Sequence, residues 1–192
     1  LFRGVNLAVR AGEATWLRGR NGRGKTSLLR LAAGLSVPES GQVLWGDTPV
    51  RRSVGFRRRL VYIGHANALK DDLSVVESLQ FLARMHERPS DLESLRSALD
   101  RVGMLGRGDA MVRTLSQGQR RRAALARLGL EREAALWILD EPYDALDADG
   151  VDCVNGILAE HLGRGGSALL TSHQHPGDSA PPMIEFNLDE SA

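Results

Sequence analysis

Cysteine is almost absent from this chain: Cys153 stands alone, in a stretch that reads as helix, so no disulfide can form within the chain and a reducing compartment fits. Long apolar runs are missing as well. No segment approaches the roughly 18 residues of a membrane-spanning helix, and no signal-peptide pattern opens the sequence, so any membrane role must pass through a partner. An excess of one charge is also lacking. The net value is +1, which gives no global field toward nucleic acid or an anionic lipid surface, and runs such as Arg57–Arg59 and Arg120–Arg122 read as solvated faces. Lysine is scarce, two residues beside twenty-three arginines, which draws attention to where Lys25 stands. The chain starts without methionine inside what reads as a strand, so an N-terminal portion is expected before Leu1.

What is present suffices for one domain, or for a core with a satellite subdomain: 192 residues, of which 42% are apolar. "VNLAV" at 5–9 alternates, "QVLWG" at 42–46 is a short apolar run closed by glycine, and both are expected as strands of a half-exposed sheet. "ATWLRG" at 14–19 predicts a strand that runs into a glycine-rich loop, followed by a helix from Lys25 that stops at Gly34. Between 66 and 120 strand signals vanish, and two capping boxes are expected, Ser74 with Glu77 and Ser90 with Glu93. Strand signals return at 135–139, 167–172 and 183–188, separated by helical patterns, which predicts a parallel α/β sheet with crossover helices; "SAPP" at 179–182 is a loop.

Gly19-Arg20-Asn21-Gly22-Arg23-Gly24-Lys25-Thr26 matches G-x-x-x-x-G-K-[ST] without a mismatch, and Ser27 continues into the helix. The mechanism demands this context. Glycines let successive amides curl inward on phosphate oxygens, Lys25 adds a compact charge, and the Thr26 hydroxyl can ligate Mg²⁺. "ALWILDEP" at 135–142 ends an apolar strand in two acids, which a parallel sheet delivers to the ligand crevice at its carboxyl edge. Asp140 is then the metal holder and Glu141 the group that orients or deprotonates the attacking water. His173, after the strand "ALLTS", can reach the same crevice and donate a hydrogen bond to a γ-phosphate oxygen, whereas His86, His161 and His175 read as surface or packing residues.

A second anion site is suggested by "LSQGQRRRAALARL" at 115–128, which opens as a helix with Ser116, Gln117, Gly118 and Gln119 at its N-terminus. With the phosphate loop, "LSQGQ", "WILDEP", "DALD" at 144–147 and "SH" at 172–173 in this order, the chain resembles the nucleotide-binding subunits of ATP-binding cassette (ABC) transporters over essentially its whole length. That resemblance implies a P-loop NTPase fold: a RecA-like parallel-sheet core with an antiparallel β subdomain and a helical subdomain. It implies one ABC ATP-binding domain over 1–192, with 66–120 helical and with 1–65 and 121–192 forming the β subdomain and the core. It implies ATP and Mg²⁺ as ligands, hydrolysis as the activity, and a head-to-tail homodimer in which Ser116 and the Gly118 backbone reach the γ-phosphate held by the other copy.

"VYIGHANALKDDLSVVESLQF" at 61–81 and "LWILDEPYDALD" are further similar to the branch that serves the bacterial haem exporter of cytochrome c maturation. This implies integral membrane partners, no nucleic acid, and a peripheral place on the cytoplasmic face of the inner membrane. His65 stands where most cassettes carry glutamine, at the loop that senses Mg²⁺, and is with Thr26 and Asp140 a candidate metal residue, since a neutral imidazole can bind a metal or a water. Gln117 replaces the first signature glycine, Asp144 stands where serine is common, and the adenine-stacking aromatic is expected ahead of Leu1. The competing readings are a soluble ABC-type ATPase acting on nucleic acid or the ribosome, and a nucleotide-binding regulator without hydrolysis. The first usually needs two cassettes or a coiled-coil insertion, and the Asp140–Glu141 pair argues against the second.

Overall fold

The runs "LWIL" and "SALLT" are too uniformly apolar for a sheet with one face in water, and both become interior strands covered on two sides. The structure, a computed structural model, describes residues 1–133 and 135–190; residues 134, 191 and 192 of the predicted span lie outside them. In chain order the elements are β1 (Ala14–Arg18), α1 (Lys25–Ala32), β2 (Leu44–Trp45), β3 (Thr48–Pro49), α2 (Val54–Arg59) and β4 (Leu60–Ile63). There follow α3 (Val75–Met85), α4 (Leu92–Asp100), α5 (Gln117–Leu125), β5 (Leu136–Leu139), α6 (Ala148–Gly163), β6 (Ser167–Thr171) and β7 (Met183–Asn187). Five strands form one parallel sheet in the order β4-β5-β6-β1-β7, and β2 pairs with β3 in a small antiparallel hairpin. No helix among the described residues is long and apolar enough to cross a membrane.

Strand alternation divides the core. Trp137 and Leu139 of β5, with Ala168 and Leu170 of β6, join one cluster that also takes Leu79, Leu95, Leu99 and Leu125 from the helices of 75–125 and Leu158 from α6. Leu136, Ile138 and Leu169 point the other way, into a second cluster with Leu29 and Phe56. Because all five strands run parallel, the carboxyl ends of β1, β4, β5 and β6 open onto one edge.

Several expected elements differ. Residues 5–9 keep their alternation, with Val5, Leu7 and Val9 packed on the second cluster and Asn6 and Ala8 exposed, but no strand lies beside them to complete a ladder among the described residues. The strand expected over 42–46 shortens to β2. Ser74 and Glu77 make the expected capping box, whereas α4 is capped by Asp91, whose carboxylate accepts from the Ser94 amide at 2.8 Å. Burial of Leu95, Ala98 and Leu99 sets that register one residue beyond the Ser90 frame. The edge strand β4 had no separate signal, since α2 runs into it without a loop. No helix separates β6 from β7; loop 172–182 alone crosses to the far side of β1. Arg120–Arg122 are not a solvated face. Arg120 pairs with Asp71 at 2.7 Å, Arg121 is buried, and Arg122 bonds Asp147 and the Val102 carbonyl.

His161 is wholly buried, its ring stacked on Trp137 at 3.6 Å, and Nε2 faces the carbonyls of Ala135 at 3.0 Å and Ser167 at 3.3 Å. Two acceptors require the Nε2–H tautomer and leave Nδ1 without a partner. A second proton on Nδ1 is therefore disfavoured: burial lowers the pKa from 6.5 to about 4, the two carbonyls working against that shift. Between these values the unfolded chain binds a proton that the folded one refuses, so stability falls as pH drops from 6.5 toward 4, by up to about 3 kcal/mol. Scanning calorimetry should show this acid slope flattened in His161→Phe; parallel curves would remove His161 as its source.

Candidate active site

Helix α1 begins at a glycine without any side-chain cap, which leaves its first-turn amides unsatisfied and open to an anion. Gly22 and Gly24 take φ of +78° and +103°, left-handed values that let the loop after β1 curl back over the helix start. Lys25 is buried at 8% exposure, and its Nζ donates to the Gly19 carbonyl at 2.6 Å and lies 3.5 Å from that of Arg20. Among the described residues it has no carboxylate partner. A buried ammonium answered only by carbonyl dipoles, beside free amides, suits a phosphate chain.

The far wall of the cleft comes from β5 and β6. The Asp140 carboxylate, 3% exposed, accepts from Thr26 Oγ1 at 3.0 Å and from Thr171 Oγ1 at 2.9 Å. Glu141 sits at φ +52°, its amide donating to Thr171 Oγ1 at 2.9 Å. Its carboxylate accepts the His173 amide at 2.8 Å, with His173 Nε2 at 3.5 Å from the other oxygen. One cleft of about 480 Å³ is lined by Arg20, Asn21, Gly22, Gly24, Lys25, Thr26 and Ser27 from the loop, by Asp140 and Glu141, and by His65, Asp144 and His173.

The residues fit a divalent cation in a particular way. Thr26 and Asp140 supply two adjacent hard oxygens, and no cluster of three or more His, Cys, Asp or Glu able to hold a metal occurs among the described residues. Such a pair suits Mg²⁺ completed by phosphate oxygens and water rather than a protein cage.

Ser116–Gln119 lie elsewhere: among the described residues none of them lines this cleft. They form a capping box, with Ser116 Oγ accepting the Gln119 amide at 3.2 Å and the Gln119 side chain returning to the Ser116 amide at 3.1 Å. This leaves the hydroxyl proton of Ser116 and the amides of Gln117 and Gly118 for an outside acceptor. A Cβ on Gly118 would stand 2.6 Å from the Ala145 carbonyl, so close approach at this glycine already serves the chain's own 144–147 loop. Gly118→Ala should therefore shift that loop, lowering the melting temperature by an amount corresponding to about 1–3 kcal/mol; an unchanged melt would show that the loop yields freely.

Three contributors carried no readable signal. Thr171 ends an apolar strand, Asp189 accepts the Arg20 amide at 3.0 Å and pairs with Arg23 at 3.2 Å from a sequence distance of more than 160 residues, and Arg121 hides in a basic run. For Asp189 and Arg23 the spacing of two charges gives no cue, since chain separation is what the fold abolishes.

The sequence family described as ABC transporter matches residues 2–144. The chain belongs to this ABC family. A protein named Cytochrome c biogenesis ATP-binding export protein CcmA, from Tatumella citrea, is 49% identical over 98% of this chain and 88% of the relative. Among solved structures, cbiO1 from Clostridium perfringens, described as part of the ABC transporter complex cbiONQ, is 30% identical with a TM-score of 0.70, covering 90% of this chain and 72% of that one. The ATP-binding cassette MJ0796, in a dimeric post-hydrolysis state bound to ADP and Pi, superposes with a TM-score of 0.77 at 21% identity, covering 88% and 78%, and shares the architecture. This cassette is the ATP-binding and ATP-hydrolysing subunit of an ABC transporter.

Proposed function

We propose that this cassette powers a haem exporter of bacterial cytochrome c biogenesis, working as a homodimer beneath integral membrane subunits on the cytoplasmic face of the inner membrane. The observation that carries the catalytic part is the convergence of an uncapped helix start, the buried Lys25 and the Thr26–Asp140 pair on one cleft. The role in cytochrome c biogenesis and export is supported by the name of the 49% identical relative, and haem as cargo and integral membrane partners are what the resemblance of 61–81 implies. Gly19–Ser27 cradles the phosphates of ATP, and Lys25 neutralises their charge. Thr26 and Asp140 would hold Mg²⁺, which would supply positive charge to the phosphates. Glu141 takes a proton from the water that attacks the γ-phosphorus as the bond to ADP breaks, and His173 orients its carboxylate. His65 lines the same cleft and stands ready to bond a water there. Ser116, Gln117, Gly118 and Gln119 of a second copy close the site, which accounts for their absence from the cleft of their own chain, and a dimeric neighbour of like architecture accords with this.

The helical region 66–120 meets the membrane subunits. Phe81 and Met85 stand exposed there, lining a shallow groove of about 440 Å³ with Leu73, Glu77, Gln80 and Arg84. Turnover measured with purified membrane partners in vesicles, and separately with DNA, RNA or ribosomes, tests the assignment: stimulation by the vesicles alone is expected, and stimulation by nucleic acid alone would overturn it.

A further inference from the structure

Arg121 stands in the middle of a basic run yet is only 3% exposed. Its Nη2 donates to the carbonyls of Asp140 at 2.6 Å and Glu141 at 2.8 Å, and its Nη1 to the Gly64 carbonyl at 3.1 Å and Asn67 Oδ1 at 3.0 Å. Its Nε reaches the Pro142 carbonyl at 3.4 Å. A guanidinium has five N–H donors in a planar fork, and here each has an acceptor. Lysine, a point charge with three donors, cannot reproduce that pattern.

The two turns so joined are those of the catalytic edge. One follows β5 and carries Asp140 and Glu141; the other follows β4 and carries His65. Glu141 has the left-handed φ of +52°, which an L side chain resists, and it is held at both ends, by Thr171 at its amide and Arg121 at its carbonyl. Burial lowers the Arg121 pKa, and the nearby Asp144, Asp140 and Glu141 oppose that shift, so the group stays charged. Arg121 also lies on α5, the helix capped by Ser116.

We propose that Arg121 is a positioning residue for hydrolysis, which aims the Glu141 carboxylate by fixing the backbone on which it stands and locking that turn to the His65 turn. This rests on the reading of Glu141 as the base. Without the fork, the left-handed residue relaxes and its carboxylate leaves the line of the attacking water. Displacement of a reacting group by about 1 Å can cost on the order of 10²-fold in rate while substrate binding is untouched. Among the described residues Arg121 makes no hydrogen bond to the phosphate loop and reaches Asp140 only at its main-chain carbonyl, so the larger effect is expected on kcat rather than on nucleotide affinity.

The test compares Arg121→Gln, Arg121→Lys and Asn67→Ala in the complete subunit, reading kcat, KM, ATP affinity by calorimetry, and melting temperature, with rates normalised to the ATP-binding sites present. In Arg121→Gln, kcat should fall roughly 30-fold or more with KM and affinity changed less than about threefold, and Arg121→Lys should recover part of it. Asn67→Ala keeps the arginine but removes one acceptor, and should lower kcat about threefold at constant KM. A lower melting temperature with wild-type kcat per binding site would overturn the proposal and leave Arg121 a structural residue. Should Arg121→Gln fail to fold, Asn67→Ala and Arg121→Lys decide by the same split. Wild-type turnover in Glu141→Gln would overturn the base role itself, whereas a slow Glu141→Gln beside a fast Arg121→Gln would overturn only the positioning.

Discussion

Glu141→Gln is expected to bind ATP as the wild type does and to hydrolyse it on the order of 10²-fold more slowly, or worse. Glutamine fills the same volume and can still accept the His173 amide, so the 2.8 Å bond that orients the side chain survives. What disappears is basicity. An amide oxygen cannot take the proton of the attacking water, and the rest of the cleft offers a poor substitute: Asp140 already accepts from two threonines, and His173 is half-exposed. On the proposed reading, in which hydrolysis reopens the dimer, the slowed variant should also accumulate a closed dimer in the presence of Mg·ATP. Single-turnover phosphate release and size-exclusion chromatography measure the two effects. A turnover near wild type would remove Glu141 from its role.

Lys25→Ala is expected to weaken ATP binding by at least about 10²-fold, the scale of losing a charge-assisted contact of roughly 3 kcal/mol in a water-poor site. The same substitution should leave the melting temperature of the nucleotide-free protein unchanged or raise it. Lys25 is a buried cation with carbonyl partners and no counter-ion among the described residues, so its removal relieves a desolvation cost. Opposite signs in affinity and stability mark a residue kept for its ligand rather than for the fold. Calorimetric titration and a thermal melt on one preparation read both. Unchanged affinity would contradict the phosphate-loop assignment, and a collapse in melting temperature would show that Lys25 braces Gly19 and Arg20 for structural reasons.

How much of this was legible depended on whether the information is local. The glycine turn into α1 was readable because the pattern it matches needs consecutive residues: glycines for left-handed backbone, an ammonium one residue later, a hydroxyl next to that. Helix starts were readable for the same reason, as at Ser74 and Ser116, where the cap and its partner lie three residues apart. Strands with partners on both sides were readable from their apolar runs. Residues 5–9 show where this stops, since alternation decides which side chains are buried but cannot supply a neighbouring strand. The Asp91 cap of α4 shows the same limit, for two acceptable caps stood side by side and core packing chose between them. Arg120–Arg122 marks the sharpest contrast: three identical residues, one ion-paired at the surface, one buried, one tied to the Asp147 loop.

By itself, then, the sequence determined the chemistry on offer: an anion cradle at 19–27, a carboxylate pair at 140–141, a self-capped helix at 116–119, and the alternation that sorts two cores. Only the tertiary structure decided which of these meet. Strand order β4-β5-β6-β1-β7 carries the ends of β1, β4, β5 and β6 to one edge and so sets Thr26 3.0 Å from Asp140 across 114 residues of chain, while leaving Ser116 off that cleft. The physical reason is that periodicity and capping act over three or four residues, whereas strand order is selected by the burial of whole faces, a sum over the entire chain that no short stretch records.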